Sequence, residues 1–409
     1  MRLIFLLAAG LALLLAPGRV TAAQDTVLAA WTQAGPNGTY LARVIRRGAC
    51  PEVRIDNRDV ISHERAAPSR NFDVRTCEAP IPANAHSVSV AGRQLPPPPE
   101  KIRTIAVMGD TGCRIEIVFF QACKDPVKWP FPTVALQIAA AHPDLVIHAG
   151  DYYYRETPCL VPACAGSPHG DGWKAWDADF FTPAAPMFAA APLLAVRGNH
   201  EDCERGGKGW DRFLSIYPYA DCTEREPAWS TSIDGLRFFV LDSSSALDPR
   251  PRSILVPEFK ADFAKLRALP RETTWLLSHR PMWGVEGALT GGALVLNKTL
   301  DAAEGDPRTL PIDLSLSGHV HLFETLTFAD HRPPQVIVGT GGDTLSPDPG
   351  NIQGLKIDNT RVTHATIRHG FGFALFDVER KSFDVYDSIG KKVFACKYSP
   401  GEVSCNSAG

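Results

Sequence analysis

Polar motifs follow several apolar segments of the chain, and a glycine begins each motif. The motifs are Gly109-Asp110, Gly150-Asp151, Gly198-Asn199-His200-Glu201 and Gly318-His319-Val320-His321. Their carboxylate, carboxamide and imidazole groups include no sulfur, and such ligands suit two hard-to-borderline metal ions better than one structural zinc. The segment TTWLLSH ends at His279 and adds another nitrogen. Chemistry at a pair of metal ions is therefore the first hypothesis.

The spacing of the two histidines in GHVH supports this hypothesis. In an extended strand, residues i and i+2 point to the same side, so His319 and His321 lie side by side while Val320 faces away. One imidazole can then serve each of two adjacent ions. Taken singly, a Gly-Asp pair is a common turn, and a histidine at a strand end is usually solvated. It is the ordered combination of motifs that indicates a function.

The segments that must position these motifs alternate between strands and helices. Strands are predicted in IRTIAVMGD, DLVIHAGD, PLLAVRGNHE, TTWLLSHRP and DLSLSGHVHLFE, and helices in FPTVALQIAAAHP and PEFKADFAKLRAL. This alternation predicts an α/β core. Ligands of open α/β sheets bind beyond the carboxyl ends of the strands, so the motifs should meet at one edge of the sheet.

The composition also predicts how the chain is divided. Residues 24–95 contain short alternating segments bounded by Gly, Pro, Asn or Asp, which predicts a small all-β domain resembling a β-sandwich. Four consecutive prolines follow, and we place a stiff linker at 96–100. The main domain is predicted over 101–395, and a C-terminal tail over 396–409.

Taken together, the motifs resemble those of the calcineurin-like metallophosphoesterases, and within that superfamily those of the purple acid phosphatases. The matching segments are GDTG (109–112), GDYYY (150–154), GNHE (198–201), LLSH (276–279) and GHVH (318–321). Their order also matches, and the resemblance extends over about 102–345. It implies an α/β fold with a β-sandwich core of the metallophosphoesterase type, flanked by helices. The tyrosine three residues after the second aspartate is specific to the purple enzymes.

The resemblance implies a complete ligand set for two ions. Ferric iron would be held by Asp110, Tyr154 and His321. Fe(II), Zn(II) or Mn(II) would be held by Asn199, His279 and His319, and Asp151 would bridge the two ions. For Tyr154, aromatic packing is the alternative to a ligand role. Tyr152 and Tyr153 are predicted to pack beneath the site.

The same resemblance implies roles for residues beside the ligands. His200, Glu201 and, besides its bridging role, Asp151 are counted as catalytic residues. His200 would contact the phosphate or protonate the leaving alcohol, and a supporting role beside the ligands is the alternative. Glu201 is expected to orient a histidine. His148 is predicted to be a core or supporting histidine.

The implied activity is hydrolysis of phosphate monoesters by a two-metal mechanism, with a small phosphorylated substrate. A phosphodiesterase or nucleotidase of the same superfamily is one alternative, and a secreted metal- or anion-binding protein is another. The sequence departs from the purple enzymes because no histidine lies between His279 and His319. Arg280 and Trp283 are candidates to line the pocket instead.

The N-terminal segment and the cysteines indicate export. Residues 1–23 have the charged, apolar and small-residue regions of a signal peptide, which predicts a secreted or periplasmic protein with no membrane span after cleavage. Ten cysteines are predicted to form local disulfides, namely Cys50–Cys77, Cys113–Cys123, Cys159–Cys164, Cys203–Cys222 and Cys396–Cys405.

The net charge is −3 and no long basic run occurs, so no nucleic-acid partner is expected. Asn37 and Asn297 begin Asn-x-Thr sequons.

Overall fold

The computed structural model describes residues 26–248 and 250–408, so the predicted signal peptide lies outside the described residues. The N-terminal part is built entirely from strands and turns. The strands are β1 (Val27–Ala34), β2 (Tyr40–Arg46), β3 (Glu52–Ile55), β4 (Arg58–Ile61), β5 (His63–Ala66), β6 (Arg75–Ile81), β7 (Val88–Val90) and β8 (Arg93–Leu95).

The central part alternates between strands and helices, as the sequence predicts. Its first half contains β9 (Thr104–Met108), β10 (Ile115–Glu116), β11 (Phe119–Phe120), α1 (Phe131–Ala140), β12 (Leu145–His148), α2 (Trp173–Trp176), α3 (Thr182–Ala190), β13 (Leu193–Ala195) and α4 (Gly207–Phe213). Its second half contains β14 (Trp229–Ile233), β15 (Leu236–Leu241), α5 (Val256–Ala268), β16 (Thr273–Ser278), β17 (Val285–Gly287), β18 (Ala293–Val295), α6 (Lys298–Glu304), β19 (Leu314–Ser317), β20 (Phe323–Phe328) and β21 (Gln335–Val338).

The last part of the described chain is again all-β. It contains β22 (Lys356–Ile357), β23 (Thr360–Arg368), β24 (Gly372–Asp377), β25 (Ser382–Asp387), β26 (Lys392–Ser399) and β27 (Glu402–Ser407). None of the helices in the described ranges combines the length and apolar character that crossing a membrane requires.

Two large mixed sheets form the centre of the described structure. The first has the order β27-β26-β25-β24-β9-β12-β13-β1-β2-β6-β5, and the second has the order β14-β15-β16-β19-β21-β20-β23-β22. Within them, β9, β12 and β13 are parallel to one another, as are β15, β16, β19 and β21. These parallel strands are buried over almost their whole length, as expected for strands with both faces covered.

The two sheets pack against each other, and helices cover their outer faces. Ile105 and Ile147 of the first sheet share one apolar core with Trp275 and Leu316 of the second. Residues of α1 and α3 pack on the outer face of the first sheet, and residues of α5 and α6 pack on the outer face of the second. The predicted α/β class, with a sandwich core flanked by helices and an N-terminal β region, is confirmed.

The N-terminal strands belong to two different sheets. β3, β4, β7 and β8 form a small sheet of their own, whereas β1, β2, β5 and β6 extend the first large sheet. The connection is the parallel pairing of β1 with β13, in which Gln33 lies opposite Leu193. The domain limits at 95 and 101 remain a prediction, and strands from both sides of the proline segment share one sheet.

The predicted disulfides are all present. They join Cys50–Cys77, Cys113–Cys123, Cys159–Cys164, Cys203–Cys222 and Cys396–Cys405. The Cys113–Cys123 bond closes the loop that follows Asp110, and the Cys203–Cys222 bond closes the loop that follows Glu201. Cross-links of this kind restrict the unfolded chain and stiffen the loops that they close.

Candidate metal centre

The parallel strands of both sheets end at one edge of the sandwich, and the polar motifs lie there. Asp110 follows β9, Asp151 follows β12, and His319 follows β19. These three residues have φ angles of 59°, 58° and 70°. The left-handed region is unfavourable for residues with a side chain, and such strain is frequent at functional sites.

One group of ligand atoms forms around Asp110, Asp151 and His321, whose donor atoms lie within 4.8 Å of one another. The Nε2 atom of His321 is 3.1 Å from Oδ1 of Asp110. The hydroxyl of Tyr154 donates to Oδ2 of Asp151 at 2.7 Å and lies 3.0 Å from Nε2 of His321. The buried phenol of Tyr154 therefore lies within this group.

A second group forms around Asp151, His279 and His319, again within 4.8 Å. The Nε2 atom of His279 lies 3.2 Å from Oδ2 of Asp151 and 3.0 Å from Oδ1 of Asn199. The ring centroids of His279 and His319 are 5.1 Å apart. Asp151 is common to both groups, so the predicted residues come together as two adjoining sets of donor atoms.

Backbone carbonyls fix the orientation of two of the imidazoles. The Nδ1 atom of His279 is 2.8 Å from the carbonyl oxygen of Ala149, and Nδ1 of His321 is 2.7 Å from that of Thr344. A carbonyl oxygen only accepts, so each Nδ1 carries the proton of this bond. Each Nε2 atom is thereby directed towards the carboxylates, the arrangement that supports metal-binding histidines.

The centre has an excess of negative charge. Burial lowers the pKa of His279, but the Asp151 carboxylate outweighs it and raises this pKa to about 9. Burial acts in the same way on His321, and the carboxylates of Asp343 and Asp110 raise its pKa to about 9. The site thus favours a positive charge at both imidazoles, where a proton and a metal ion compete for the same nitrogen.

Glycines allow the close approach of these groups. A Cβ atom on Gly198 would collide with Asp151, and one on Gly150 would collide with the ring of His279. A Cβ atom on Gly318 would lie 2.5 Å from Oδ2 of Asp110. The glycines that precede the polar residues are therefore part of the packing of the centre. The oxygen and nitrogen donors, their arrangement in two adjoining groups and the close glycine packing together fit a pair of metal ions.

His200 lies beside both groups. Its ring centroid is 4.0 Å from that of Tyr154, and its Nε2 atom is 3.9 Å from Oδ2 of Asp151. Its other nitrogen, Nδ1, is 2.5 Å from Oε1 of Glu156. His200 is therefore placed at the centre with one nitrogen held by a carboxylate.

Glu201 does not have the contacts that the resemblance implies. We expected it to orient a histidine, but its carboxylate accepts hydrogen bonds from the backbone N–H groups of Asp151, Tyr152, Tyr153 and Gly198, at 2.9–3.2 Å. These groups belong to the loops after β12 and β13. The prediction that Glu201 orients a histidine is therefore wrong. Its carboxylate instead connects the two loops by hydrogen bonds.

The predicted packing residues lie behind the centre. Nε2 of His148 is 2.9 Å from the Thr111 hydroxyl, and its ring stacks on Tyr152 with centroids 3.9 Å apart. Tyr153 stacks on Trp176 at 5.6 Å. The packing roles predicted for Tyr152, Tyr153 and His148 are confirmed.

Of the two residues suggested to line the pocket, one lies at the centre. Nη1 of Arg280 is 2.9 Å from Nε2 of His319. Trp283 is instead fully buried against Phe328, 5.5 Å between centroids, in the core beneath the second sheet. Its suggested pocket position is wrong, because the chain turns inward after Arg280.

Several polar residues of the centre were not predicted. Asp248 accepts from Nε2 of His319 at 2.9 Å and also pairs with Arg280. Asp343 lies 3.4 Å from Nδ1 of His321 and accepts from Nε of Arg114 at 3.0–3.1 Å. A sequence pattern could have identified Asp343. This residue follows β21 within GTGGDT and so repeats the strand-glycine-aspartate pattern.

The comparison with protein families gives the same assignment as the motifs. The model of the calcineurin-like phosphoesterase family matches residues 103–323, more than half of the chain. The chain belongs to this family. Phosphoesterases of this kind act on phosphate esters, and the paired donor groups around Asp151 are a candidate dimetal site. A comparison with curated proteins finds no significant match.

Solved structures share the fold of this calcineurin-like phosphoesterase. One is the purple acid phosphatase PPD1 isolated from yellow lupin (Lupinus luteus) seeds, with a TM-score of 0.60 and 15% identity over 92% of this chain and 74% of that one. Another is PhoD, with a TM-score of 0.54 and 11% identity over 96% of this chain and 94% of that one. At these identities the likeness establishes the fold.

Proposed function

We propose that this calcineurin-like phosphoesterase is an exported phosphatase that hydrolyses phosphate monoesters with the help of two metal ions. The observation that carries the proposal is the pair of donor groups that share Asp151. A shared carboxylate is what two ions a few ångströms apart require. When bound, such ions polarise a phosphate ester and activate a water molecule for in-line attack.

The ligands are assigned as the motifs imply. Asp110, Tyr154 and His321 would hold Fe(III), with Asp151 as the bridge. Asn199, His279 and His319 would hold Fe(II), Zn(II) or Mn(II). His319 would bind through Nδ1, because its Nε2 atom already contacts the Asp248 carboxylate and the Arg280 guanidinium, each at 2.9 Å.

Tyr154 supports ferric iron as one of the two metals. Burial raises the pKa of its phenol well above the usual value, and the charges of Asp151 and Asp110 raise it further. A phenolate at this position therefore needs a strong positive charge beside it. A trivalent ion provides more of that charge than a divalent one.

The residues around the ions have separate tasks in this proposal. His200, once both of its ring nitrogens carry a proton, would donate the Nε2 proton to the leaving alcohol, while Glu156 holds its Nδ1. Arg205 lies 3.8 Å from Glu156, and Arg280 lies beside His319. Guanidinium groups at these positions would bind the oxygens of the substrate phosphate.

A monoester is favoured over a diester because of charge. A terminal phosphate of a monoester carries up to two negative charges, and a diester carries one. Arg114, Arg205 and Arg280 surround the centre, and each is held in place by a carboxylate. Together with two cations, these guanidinium groups would bind the more highly charged ester more tightly.

The test compares esters on purified, metal-loaded protein. We expect p-nitrophenyl phosphate to be hydrolysed with a higher kcat/KM than bis-(p-nitrophenyl) phosphate. Asp151→Asn should abolish turnover of both, whereas the exposed Asp306→Asn should leave both unchanged. Preference for the diester would replace the proposal with a phosphodiesterase. Metal or phosphate binding without any turnover would replace it with a binding protein.

Export is supported by the disulfides. Bonds of this kind persist in oxidising compartments, and five join the ten cysteines, all of which lie in the described ranges. A secreted or periplasmic location, with removal of residues 1–23, accounts for them. N-terminal sequencing of the protein recovered outside the cytoplasm tests this part of the proposal, since retention of residues 1–23 would contradict it.

A further inference from the structure

A cluster of carboxylates lies outside the candidate dimetal centre, where α6 meets the turn between β22 and β23. One oxygen from each of Asp301, Glu304 and Asp358 lies within 4.8 Å of the others. Asp301 and Glu304 are three residues apart and so share one face of α6. Asp358 comes from the turn and meets this face. Carboxylates repel one another at such distances unless a positive charge lies between them.

Glu304 is the residue that points to a ligand. Its side chain is only 1% exposed, and neither carboxylate oxygen has a hydrogen-bond partner of ordinary geometry among the described residues. Burial raises the pKa of Glu304, and the nearby Trp283 indole lowers it as a donor, but this N–H likewise forms no bond of ordinary geometry. An ionised carboxylate buried without a partner costs several kcal/mol, so this one needs a cation or a proton.

The neighbouring basic groups pair with the carboxylates of Asp301 and Asp358. Nζ of Lys298 is 3.3 Å from Oδ1 of Asp358 and 3.7 Å from Oδ2 of Asp301. Arg332 is 3.5 Å from Asp358 and also forms a pair with Asp330 at 2.9 Å. An ionised Glu304 carboxylate therefore has no positively charged group of the described chain in direct contact with it, although Arg332 lies close enough to lower its pKa.

We infer that Asp301, Glu304 and Asp358 form a further metal site, which binds Ca²⁺. The donor atoms are all carboxylate oxygens, the ligands preferred by hard cations, whereas transition metals favour sites that include imidazole or sulfur. Ca²⁺ accepts irregular arrangements of six to eight oxygens, and water can complete the set. Mg²⁺ requires a near-regular octahedron, which donors on a helix and a separate turn do not readily give.

This site would stabilise a contact with the dimetal centre. The backbone N–H of Lys298 donates to the carbonyl of Asp248 at 3.0 Å, and the hydroxyl of Thr299 donates to the carbonyl of Leu247 at 2.8 Å. The side chain of Asp248 in turn accepts from His319. A cation that fixes α6 thus also fixes the segment that supports one of the proposed metal ligands.

The experiment measures thermal unfolding of the metal-loaded full chain as CaCl₂ is added. For the wild type we expect Tm to rise by about 3 °C or more at millimolar Ca²⁺, because a ligand of the native state stabilises it. Glu304→Gln should remove this rise. Asp306→Asn, an exposed acid near the end of the same helix, should keep it.

Because Glu304→Gln changes a buried group, Asp301→Asn provides a second, partly exposed position. Isothermal titration with Ca²⁺ should show at least a tenfold weaker binding in both variants than in the wild type. No rise in Tm for the wild type, or an equal rise in the Glu304→Gln and Asp301→Asn variants, would overturn the inference. An equal or larger effect of Mg²⁺ would overturn the choice of Ca²⁺.

Discussion

The carboxylate of Glu156 lies 2.5 Å from Nδ1 of His200, and Nε2 of the same ring lies 3.9 Å from Asp151. Burial raises the pKa of Glu156 to about 8. Once this carboxylate is ionised it can only accept, so the contact then keeps a proton on Nδ1 of His200. It also fixes which nitrogen is turned towards the donor groups. Glu156 is therefore a positioning residue for the proposed proton transfer.

Replacing Glu156 tests this relationship. Glu156→Gln should lower kcat about tenfold, the scale seen when the partner of a functional histidine is removed. KM should change little, and the alkaline limb of the pH–rate profile, where a general acid loses its proton, should move. The exposed Glu204→Gln is the matched control and should behave as the wild type. An equal loss of kcat at all pH values would indicate that the contact between Glu156 and His200 is purely structural.

The proposed ferric site predicts a colour that depends on Tyr154. If the phenol binds Fe(III), the iron-loaded protein should be violet, and Tyr154→Phe should lose the visible band. Tyr153→Phe is the control, because its hydroxyl donates to the carbonyl of Arg155 and lies outside the donor groups. Absorption spectra with metal analysis provide the measurement. A colourless wild type containing two metals would retain the phosphoesterase and reject the purple subtype.

Loss of the Glu201 carboxylate should destabilise the fold rather than act on chemistry alone. Glu201→Gln places an amide group among backbone N–H donors, and buried donors without an acceptor cost about 1–3 kcal/mol each. Urea unfolding should show this loss for the apo protein, with Glu224→Gln, an exposed residue, as the control. Unchanged stability combined with a lower kcat would instead support the catalytic role that the sequence suggested.

Stability should fall as the pH rises because of Glu226. Burial, and then the charge of Asp242, raise the pKa of Glu226 from 4.5 to about 7. The native state therefore keeps a proton that the unfolded chain loses, so the stabilisation is complete below pH 4.5 and disappears as the pH rises through about 7. This group alone contributes a change of about 3 kcal/mol at most.

Comparison with Glu226→Gln isolates this effect. The variant cannot ionise, so its free energy of unfolding should fall less between pH 5 and pH 7.5 than that of the wild type. The measurement is urea unfolding at both values. Parallel curves for the two proteins would show that Glu226 does not retain its proton in the native state.

Only one of the two sequons should be glycosylated when the protein is made in a host that glycosylates its exports. Asn37 is exposed in the turn between β1 and β2, whereas Asn297 is fully buried. A glycan requires a surface position, so only Asn37 should be modified. The mass shift should disappear in Asn37→Gln and persist in Asn297→Gln. A glycan on Asn297 would contradict its burial in the folded protein.

The parts of the centre that the sequence predicts are those carried by strand ends. Asp110, Asp151 and His319 each follow a glycine directly after a buried strand, so the local pattern gives both the residue and its place. The cysteines pair with their nearest neighbours in the sequence, which made their connectivity predictable. Tyr154 could be placed because its spacing from Asp151 is fixed by one short loop.

Residues brought in by longer loops could not be placed in this way. Asp248 reaches the centre from a segment whose path depends on tertiary packing, and no local pattern marks it. The contacts of Glu201 were assigned wrongly because its motif shows neighbours in sequence but not hydrogen-bond partners. The pairing of β1 with β13 joins residues far apart in the chain, which alternation of apolar residues within each strand cannot reveal.

The bonds from Glu201 to the loops after β12 and β13 bear on how the protein matures. They hold the backbone of Asp151, and that of Gly198 next to Asn199, through a carboxylate of the chain itself. This part of the centre can therefore be set during folding and cystine formation, before ions are loaded. Ions could also be exchanged during the lifetime of the protein while the polypeptide stays folded.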